Sequence, residues 1–210
     1  MSFDLAICNG IIVTTNNCYK PFLGSIGISD GLIEYVGERI ITPRETKKYI
    51  DAENKIVMPG LINGHCHAEM AFARGLGDDL TLEEQIQVFG EFNWFYDEIS
   101  EEDRYYSRLL TYIEAILSGT TFILDNAFWD SGEKTLDAMQ KVGIKGGVVN
   151  DFCDDFSRPD NFKSFSRLLE HRNMCNEKSI LPVYGNMLEE DFTESGLDKI
   201  KTLSHRLNSL

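Results

Sequence analysis

Two of the chain's four histidines stand one residue apart, as His65-Cys66-His67, within the stretch VMPGLINGHCHAEM from Val57 to Met70. Side chains alternate along a strand. If the apolar run from Ile56 continues as a strand through this stretch, His65 and His67 aim at one face and Cys66 at the other. Two imidazoles converging at the C-terminal end of a strand can ligate zinc or a similar divalent ion. The same pair in a solvent-facing loop would be two ordinary surface histidines, and the spacing alone does not separate these readings. The neighbours favour the first. Pro59-Gly60 and Gly64 suit a bent, closely packed strand entry. A helical pattern follows the pair, which disfavours a small all-β metal-binding barrel of cupin type.

The elements that must position this pair form two regions. Residues 3–50 look like short strands, DLAICNGIIVTT and LGSIGISDGLIEYVGE, with turn pairs at Asn9-Gly10 and Asp30-Gly31. They predict an antiparallel, hairpin-rich region with a thin core. From about residue 56, apolar runs at 56–63, 120–125, 144–150 and 180–185 alternate with helical patterns at 81–93, 101–118, 131–142, 160–173 and 194–208. The helix over 101–118 has Ser100 as its N-cap and acidic residues in its first turn. Its apolar face is expected to be Tyr105, Leu109, Tyr112, Ile113 and Ile116, and Gly119 stops it. Helix–Gly–strand recurs at AILSGTTFILD and MQKVGIKGGVV, as repeated units with parallel strands require. The class is α/β, as an open doubly wound sheet or a barrel.

Composition narrows the function. With 42% hydrophobic residues and no run long enough to cross a bilayer, the 210 residues read as a globular protein with no membrane partner. Residues 1–15 lack the basic start and unbroken apolar stretch of a secretory leader. Five cysteines without a CxxC pair read as reduced thiols of a cytoplasmic protein. A net charge of −14 argues against nucleic acid as a partner.

The stretch VMPGLINGHCHAEMAFARGLGDDLTLEE resembles the amidohydrolase superfamily, in its cytosine deaminase and chlorohydrolase-like branch. Pro59, Gly60, Leu61, Asn63, His65, His67, Arg74, Gly75, Asp79 and Leu80 stand in the register of that branch. Downstream, EAILSGTTFILD, from Glu114 to Asp125, matches its E-x-x-x-x-G-T-T…D segment, and the likeness runs from residue 3 to roughly 185. It implies the N-terminal half of a TIM-like (β/α)8 hydrolase barrel (residues 57–210, about four βα units), preceded by part of a composite β-sandwich (residues 1–56).

The implied ligands are His65 and His67, for a divalent metal, zinc first and iron second. The implied chemistry is metal-assisted hydrolysis, in which an ionised water attacks an sp² carbon bearing an amino or halide leaving group on a small heterocycle. No catalytic acid or base is expected among these residues. The family's third and fourth histidines and its closing aspartate have no counterpart here, since His171 and His205 lie in charged helical patterns and read as surface residues. The isolated chain is therefore expected to bind metal weakly or not at all and to be inactive. A missing C-terminal half or a homo-oligomeric partner would complete it. A non-catalytic remnant, or one half of a split enzyme, is the alternative.

The resemblance also points to residues around a small-molecule substrate. Met70 is expected as an apolar wall, and Glu69 as either a substrate contact or a solvated rim residue. Asp125 and Asn126, like Asn150 and Asp151, end strands where they would line the site or cap a loop. Trp94, Phe95 and Tyr96 would cover the substrate or pack in the core. Arg74 is expected to tie down the loop after the first barrel strand. Two departures from nucleoside-deaminating relatives, Tyr96-Asp97 and Asn186-Met187, weigh against adenosine-type substrates.

Overall fold

The computed structural model describes residues 2–15, 20–91, 98–127, 133–151, 165–185, 198, 201–202 and 204–206. The chain divides into two compact units, Met1–Gly60 and Leu61–Leu210.

The first unit is a five-stranded sheet of β1 (Phe3–Ile12), β2 (Phe22–Ser29), β3 (Leu32–Gly37), β4 (Thr46–Asp51) and the short β5 (Ile56–Val57). The two-residue connection Asp30-Gly31 has positive φ at both positions, +50° and +76°, as the tight turn joining twisted antiparallel strands demands. Asn9-Gly10 behaves differently from the expected turn. It lies inside β1, where Ile7 faces Ile26 and Gly10 faces Gly24, so the extra residue forms a bulge with Asn9 at φ +61°. An Asn-Gly pair supplies left-handed backbone to a bulge as readily as to a turn. The sheet is also not wholly antiparallel, because β4 and β5 both pair parallel with β1. Alternate residues Ala6, Cys8 and Ile12 of β1 are buried, and Phe3, Ala6, Cys8 and Ile41 form a small core with Tyr35 and Tyr49 packed against it.

The expected single strand over 56–63 is two. Ile56–Val57 completes the first sheet, and β6 (Leu61–Cys66) begins the second. Pro59 and Gly60 separate them, since proline donates no ladder hydrogen bond.

The second unit is a parallel sheet in the order β6-β7-β8-β9, with β7 at Thr120–Asn126, β8 at Lys145–Asp151 and β9 at Leu181–Gly185. The helices are α1 (Leu82–Glu91), α2 (Glu101–Leu117), α3 (Glu133–Val142) and α4 (Phe165–Glu177). Ser100 caps α2 in a reciprocal box with Asp103, an arrangement worth about 1 kcal/mol. Gly119 and Gly143 close α2 and α3 in left-handed backbone, φ +89° and +79°, immediately before β7 and β8.

One face of this sheet packs under the helices. Ile123 and Val148 meet Tyr112 of α2, Leu136 and Met139 of α3, and Cys175 of α4 in one core. Strand order follows chain order without reversal, and α2 packs on α3 and α3 on α4. A doubly wound sheet reverses its order and carries helices on both faces, so this is half of a barrel. The buried stripe of α2 differs from the expected one. Tyr112 is buried and Tyr105 and Leu109 pack on the core, whereas Ile113 and Ile116 are exposed. Their places are taken by Ser107 and Arg108, both fully buried. The helix near 194–208 falls mostly outside the described residues. Among the described residues, no helix is long and apolar enough to cross a membrane.

Candidate metal centre

His65 is the penultimate residue of β6, and His67 stands one residue beyond it, at the N-cap of a short 3-10 helix, Ala68–Ala73. Their Nε2 atoms are 3.1 Å apart and the rings meet edge to face at 86°. Two imidazoles on one tetrahedral zinc, each at 2.0–2.1 Å, would hold their nitrogens about 3.3 Å apart. The pair therefore fits a single divalent cation in both donor chemistry and spacing. Cys66, between them, packs against the helix-side core, and burial pushes its thiol up to about 12, far from a ligating thiolate. Among the described residues, no group of three or more His, Cys, Asp or Glu side chains converges as a metal site.

The neighbouring strand end sets both rings. The His67 Nδ1–H donates to the backbone carbonyl of Asn126 at 2.7 Å, which leaves the Nε2 lone pair of a neutral ring pointing at His65. The Asn126 amide lies 3.1 Å from His65 Nδ1. Asn63 Oδ1 accepts from the His65 backbone at 3.1 Å and steadies the strand end itself. Burial lowers the His67 pKa, against the opposing effect of the bond to the Asn126 carbonyl. Burial thus favours the neutral form of the ring, the form that binds metals.

Behind the pair lies a buried polar layer, held by one helix. Ser107 Oγ donates to the Glu69 carbonyl at 2.7 Å and Thr111 Oγ1 to the Ala68 carbonyl at 2.8 Å. The Glu69 carboxylate pairs with the Arg108 guanidinium, both side chains fully enclosed. Asp125 accepts from the Ala68 backbone N–H at 3.0 Å and from the Tyr112 hydroxyl. Residues 107, 108, 111 and 112 recur at helical spacing on α2, so a single face grips the two residues that follow His67. Burial raises the Asp125 pKa, although its hydrogen bonds and Arg108 oppose this, and burial also drives Tyr112 well above its ordinary value.

This geometry revises several expected positions. Glu69 is neither rim nor open to a substrate, because its carboxylate is committed to Arg108 in the interior. Asp125 faces the helices. It shares a sheet face with Ile123, two residues earlier, and it is Asn126 that reaches the histidines. Met70 is half-buried in the 3-10 helix, its N–H bonded to the His67 carbonyl. Arg74 does tie down the loop, through two bonds to Glu114 at 2.6 and 3.0 Å. Asn150 and Asp151 end β8 opposite Tyr184 and Gly185. Tyr96, with Trp94, Phe95 and Asp97, lies outside the described residues, as do Asn186 and Met187.

His171 is not a surface residue. It is buried on α4, with Nε2 3.0 Å from the Val148 carbonyl and 3.5 Å from Cys175 Sγ, in a strand–helix contact. The charged neighbours that suggested exposure occupy the other faces of the helix. His205 is exposed. Sequence reasoning missed Ser107, Arg108 and Thr111. The available signal was a run of polar residues at helical spacing beside Tyr105, Leu109 and Tyr112.

Parallel strands with two histidines converging at a C-terminal end are the arrangement that the resemblance in the sequence implies. Residues 56–175 match the amidohydrolase family, and the chain belongs to it. The 5'-deoxyadenosine deaminase of Methanosarcina acetivorans is 31% identical over 207 residues, covering 97% of this chain and 46% of that protein. In structure, the chain is similar to an adenosine deaminase from Xanthomonas campestris with bound zinc (TM-score 0.78, 20% identity, 99% of this chain and 48% of that one). A triazine hydrolase from Arthrobacter aurescens is similar to the same degree (TM-score 0.78, 17% identity, 97% and 51%). The chain spans about half the length of the relatives it matches.

Proposed function

We propose that this chain carries the first two metal ligands, His65 and His67, of a hydrolase that releases ammonia from an amine-bearing heterocycle. The observation that carries the reading is the 3.1 Å approach of the two Nε2 atoms at the C-terminal ends of parallel strands, in a member of the amidohydrolase family. Zinc is the favoured ion, since the imidazole pair suits it and a structurally similar deaminase contains it. When bound, the cation supplies Lewis acidity and lowers the pKa of water toward neutrality. His67, whose neutral form burial favours and which the Asn126 carbonyl orients, presents its Nε2 lone pair. The α2 residues hold the backbone that follows it. Proton transfer is left to groups beyond the described residues or beyond this chain, because Glu69 and Asp125 are enclosed and turned away.

Against the expectation drawn from Tyr96-Asp97 and Asn186-Met187, adenosine-type substrates are favoured over triazines, since 31% identity to a 5'-deoxyadenosine deaminase extends over 97% of the chain. Residues 1–56 are read as part of a composite β-sandwich and 57–210 as the first half of the barrel. A separate partner chain or a continuation would then supply the remaining ligands.

Complementation tests this. The chain is joined to the segment of the Methanosarcina acetivorans relative that lies beyond the matched part, and ammonia release from 5'-deoxyadenosine is measured. Zinc-dependent turnover that disappears in both His65→Ala and His67→Ala is expected. A folded, zinc-loaded chimaera that releases no ammonia from any aminated purine or triazine contradicts the reading.

A further inference from the structure

The chain contains two Asn-Gly steps, Asn9-Gly10 and Asn63-Gly64, and the structure holds them differently. Such a step loses its side-chain amide most readily, because glycine leaves the next backbone nitrogen unhindered. That nitrogen must reach the asparagine Cγ, so the backbone between the two residues has to turn out of its strand conformation. At Asn9 this turn is blocked. Gly10 is buried and faces Gly24, and a Cβ on it would stand 2.7 Å from Val57 Cγ2 and 3.0 Å from Ala52 Cβ. The Asn9 amide is committed through Nδ2 to the Asp51 carboxylate at 3.0 Å and to the Tyr49 hydroxyl at 3.3 Å.

Asn63-Gly64 is open on each of these counts. Gly64 is exposed, and a Cβ on it would meet no described atom within 4 Å. Among the described residues β6 pairs only with β7, and the register passes from Asn63 opposite Ile123 straight to Cys66 opposite Asp125. Gly64 and His65 therefore lie in an irregular stretch outside the paired register, where local opening is easiest. The His65 N–H donates instead to Asn63 Oδ1 at 3.1 Å, which polarises the Cγ that must be attacked. An N–H needs an acceptor, so this bond also sets which end of the Asn63 amide is oxygen.

We propose that Asn63 is a site of spontaneous deamidation, with water as the co-reactant, and that its isoaspartyl product dismantles the histidine pair. The Gly64 nitrogen gives its proton to solvent base and bonds to Asn63 Cγ. The Cγ–Nδ2 bond breaks, and Nδ2 leaves as ammonia with a proton taken from water. Water then opens the cyclic imide at one of its two carbonyls. Opening at Cγ restores the ordinary backbone with aspartate at 63. Opening at the main-chain carbonyl frees that carbonyl as a carboxylate and routes the chain through Cγ, which is isoaspartate. The sum is amide plus water to carboxylate plus ammonium, with no change of oxidation state.

Isoaspartate lengthens the main chain by one carbon directly ahead of His65 and removes the acceptor that steadies its N–H. Aspartate does neither, since a carboxylate oxygen accepts the same bond. The modification site stands on the geometry of Asn63-Gly64 alone. Only its consequence for a metal rests on the reading of His65 and His67 as ligands.

The test ages the 210-residue chain at mildly alkaline pH and maps its peptides by mass spectrometry. Conversion of amide to acid is expected roughly tenfold faster at residue 63 than at residue 9. Isoaspartate is identified by methyl transfer from S-adenosylmethionine with an isoaspartyl methyltransferase. Gly64→Ala, which the open space accommodates, should slow conversion at 63 roughly tenfold while leaving the circular dichroism spectrum unchanged. Ring-to-ring proton contact between His65 and His67, read by NMR, should be lost in the isoaspartyl fraction and kept in Asn63→Asp. Equal conversion at the two steps, or conversion undiminished in Gly64→Ala, overturns the site. Ring contact that survives in the isoaspartyl fraction overturns its effect on the pair. Conversion and lost contact as described, with zinc binding by calorimetry unchanged, uphold the site and overturn the ligand reading instead.

Discussion

The two units treat polar groups in opposite ways. In Met1–Gly60 the ion pairs Arg39–Glu45 and Lys47–Asp4 sit at the surface, and Ser25 is the only buried polar residue among those described. In Leu61–Leu210, Glu69, Ser107, Arg108, Asp125, Thr135 and His171 are all buried. Enclosing charges costs several kcal/mol per ion before their partners offset it, and apolar packing would hold a sheet together as well. Four of the six lie directly behind His65 and His67. The second unit thus accepts a costly interior where two side chains must be held in one geometry, and the first, which positions no such pair, does not.

The largest expected effect breaks this contrast at its centre. Arg108→Leu leaves the Glu69 carboxylate buried without its cation and should destabilise the second unit by about 3–5 kcal/mol, read by amide hydrogen exchange in β6 and β7. Exchange in β1 and β2 should be unchanged. Adding Glu69→Leu to that variant should restore most of the loss, since an apolar pair replaces a charged one at low cost. If the single variant is as stable as the parent, the layer does not hold the site.

A smaller change is expected from Tyr112→Phe, which removes one donor from the buried Asp125. About 1–3 kcal/mol is expected in urea unfolding, together with broadened His67 resonances, because Asp125 holds the Ala68 N–H. Loss of stability without any change at His67 would separate the layer from the site.

The pH dependence should differ in sign between the units. Burial raises the folded pKa of Asp125, so its contribution is complete below the unfolded value near 3.8 and declines as pH rises through the folded value. Asp125→Asn should flatten that decline. Glu45 is the opposite case. Bonds from Thr42 and Arg39 hold it at about 2, against an ordinary 4.5, so its stabilisation is present above 4.5 and lost as pH falls through about 2. Glu45→Gln should be slightly less stable than the parent at neutral pH and indistinguishable from it near pH 2. Arg74→Ala, which breaks an exposed pair, should have the smallest effect of all.

The histidine pair, the helix–Gly–strand rhythm and the Ser100 cap were legible in the sequence because each rests on local chemistry at short spacing. Phase was not. A strand's alternation says that Asp125 and Asn126 point to opposite faces, yet only the helices packed on Ile123 decide which face holds Asp125. The same gap explains Asn9-Gly10, where turn and bulge both put Asn9 in left-handed backbone and only pairing with the neighbouring strand distinguishes them. Arg108 and His171 look like surface residues by type, and their burial depends on partners at Glu69 and Val148 that lie far away in the chain.

His65 and His67 are proposed as part of a metal site that the described residues do not complete. The most direct test is zinc titration of the purified 210-residue protein, followed by metal analysis after dialysis. Weak binding that vanishes in His65→Ala and in His67→Ala is expected, with no zinc retained. One tightly held equivalent per chain, or binding that survives both substitutions, would contradict it.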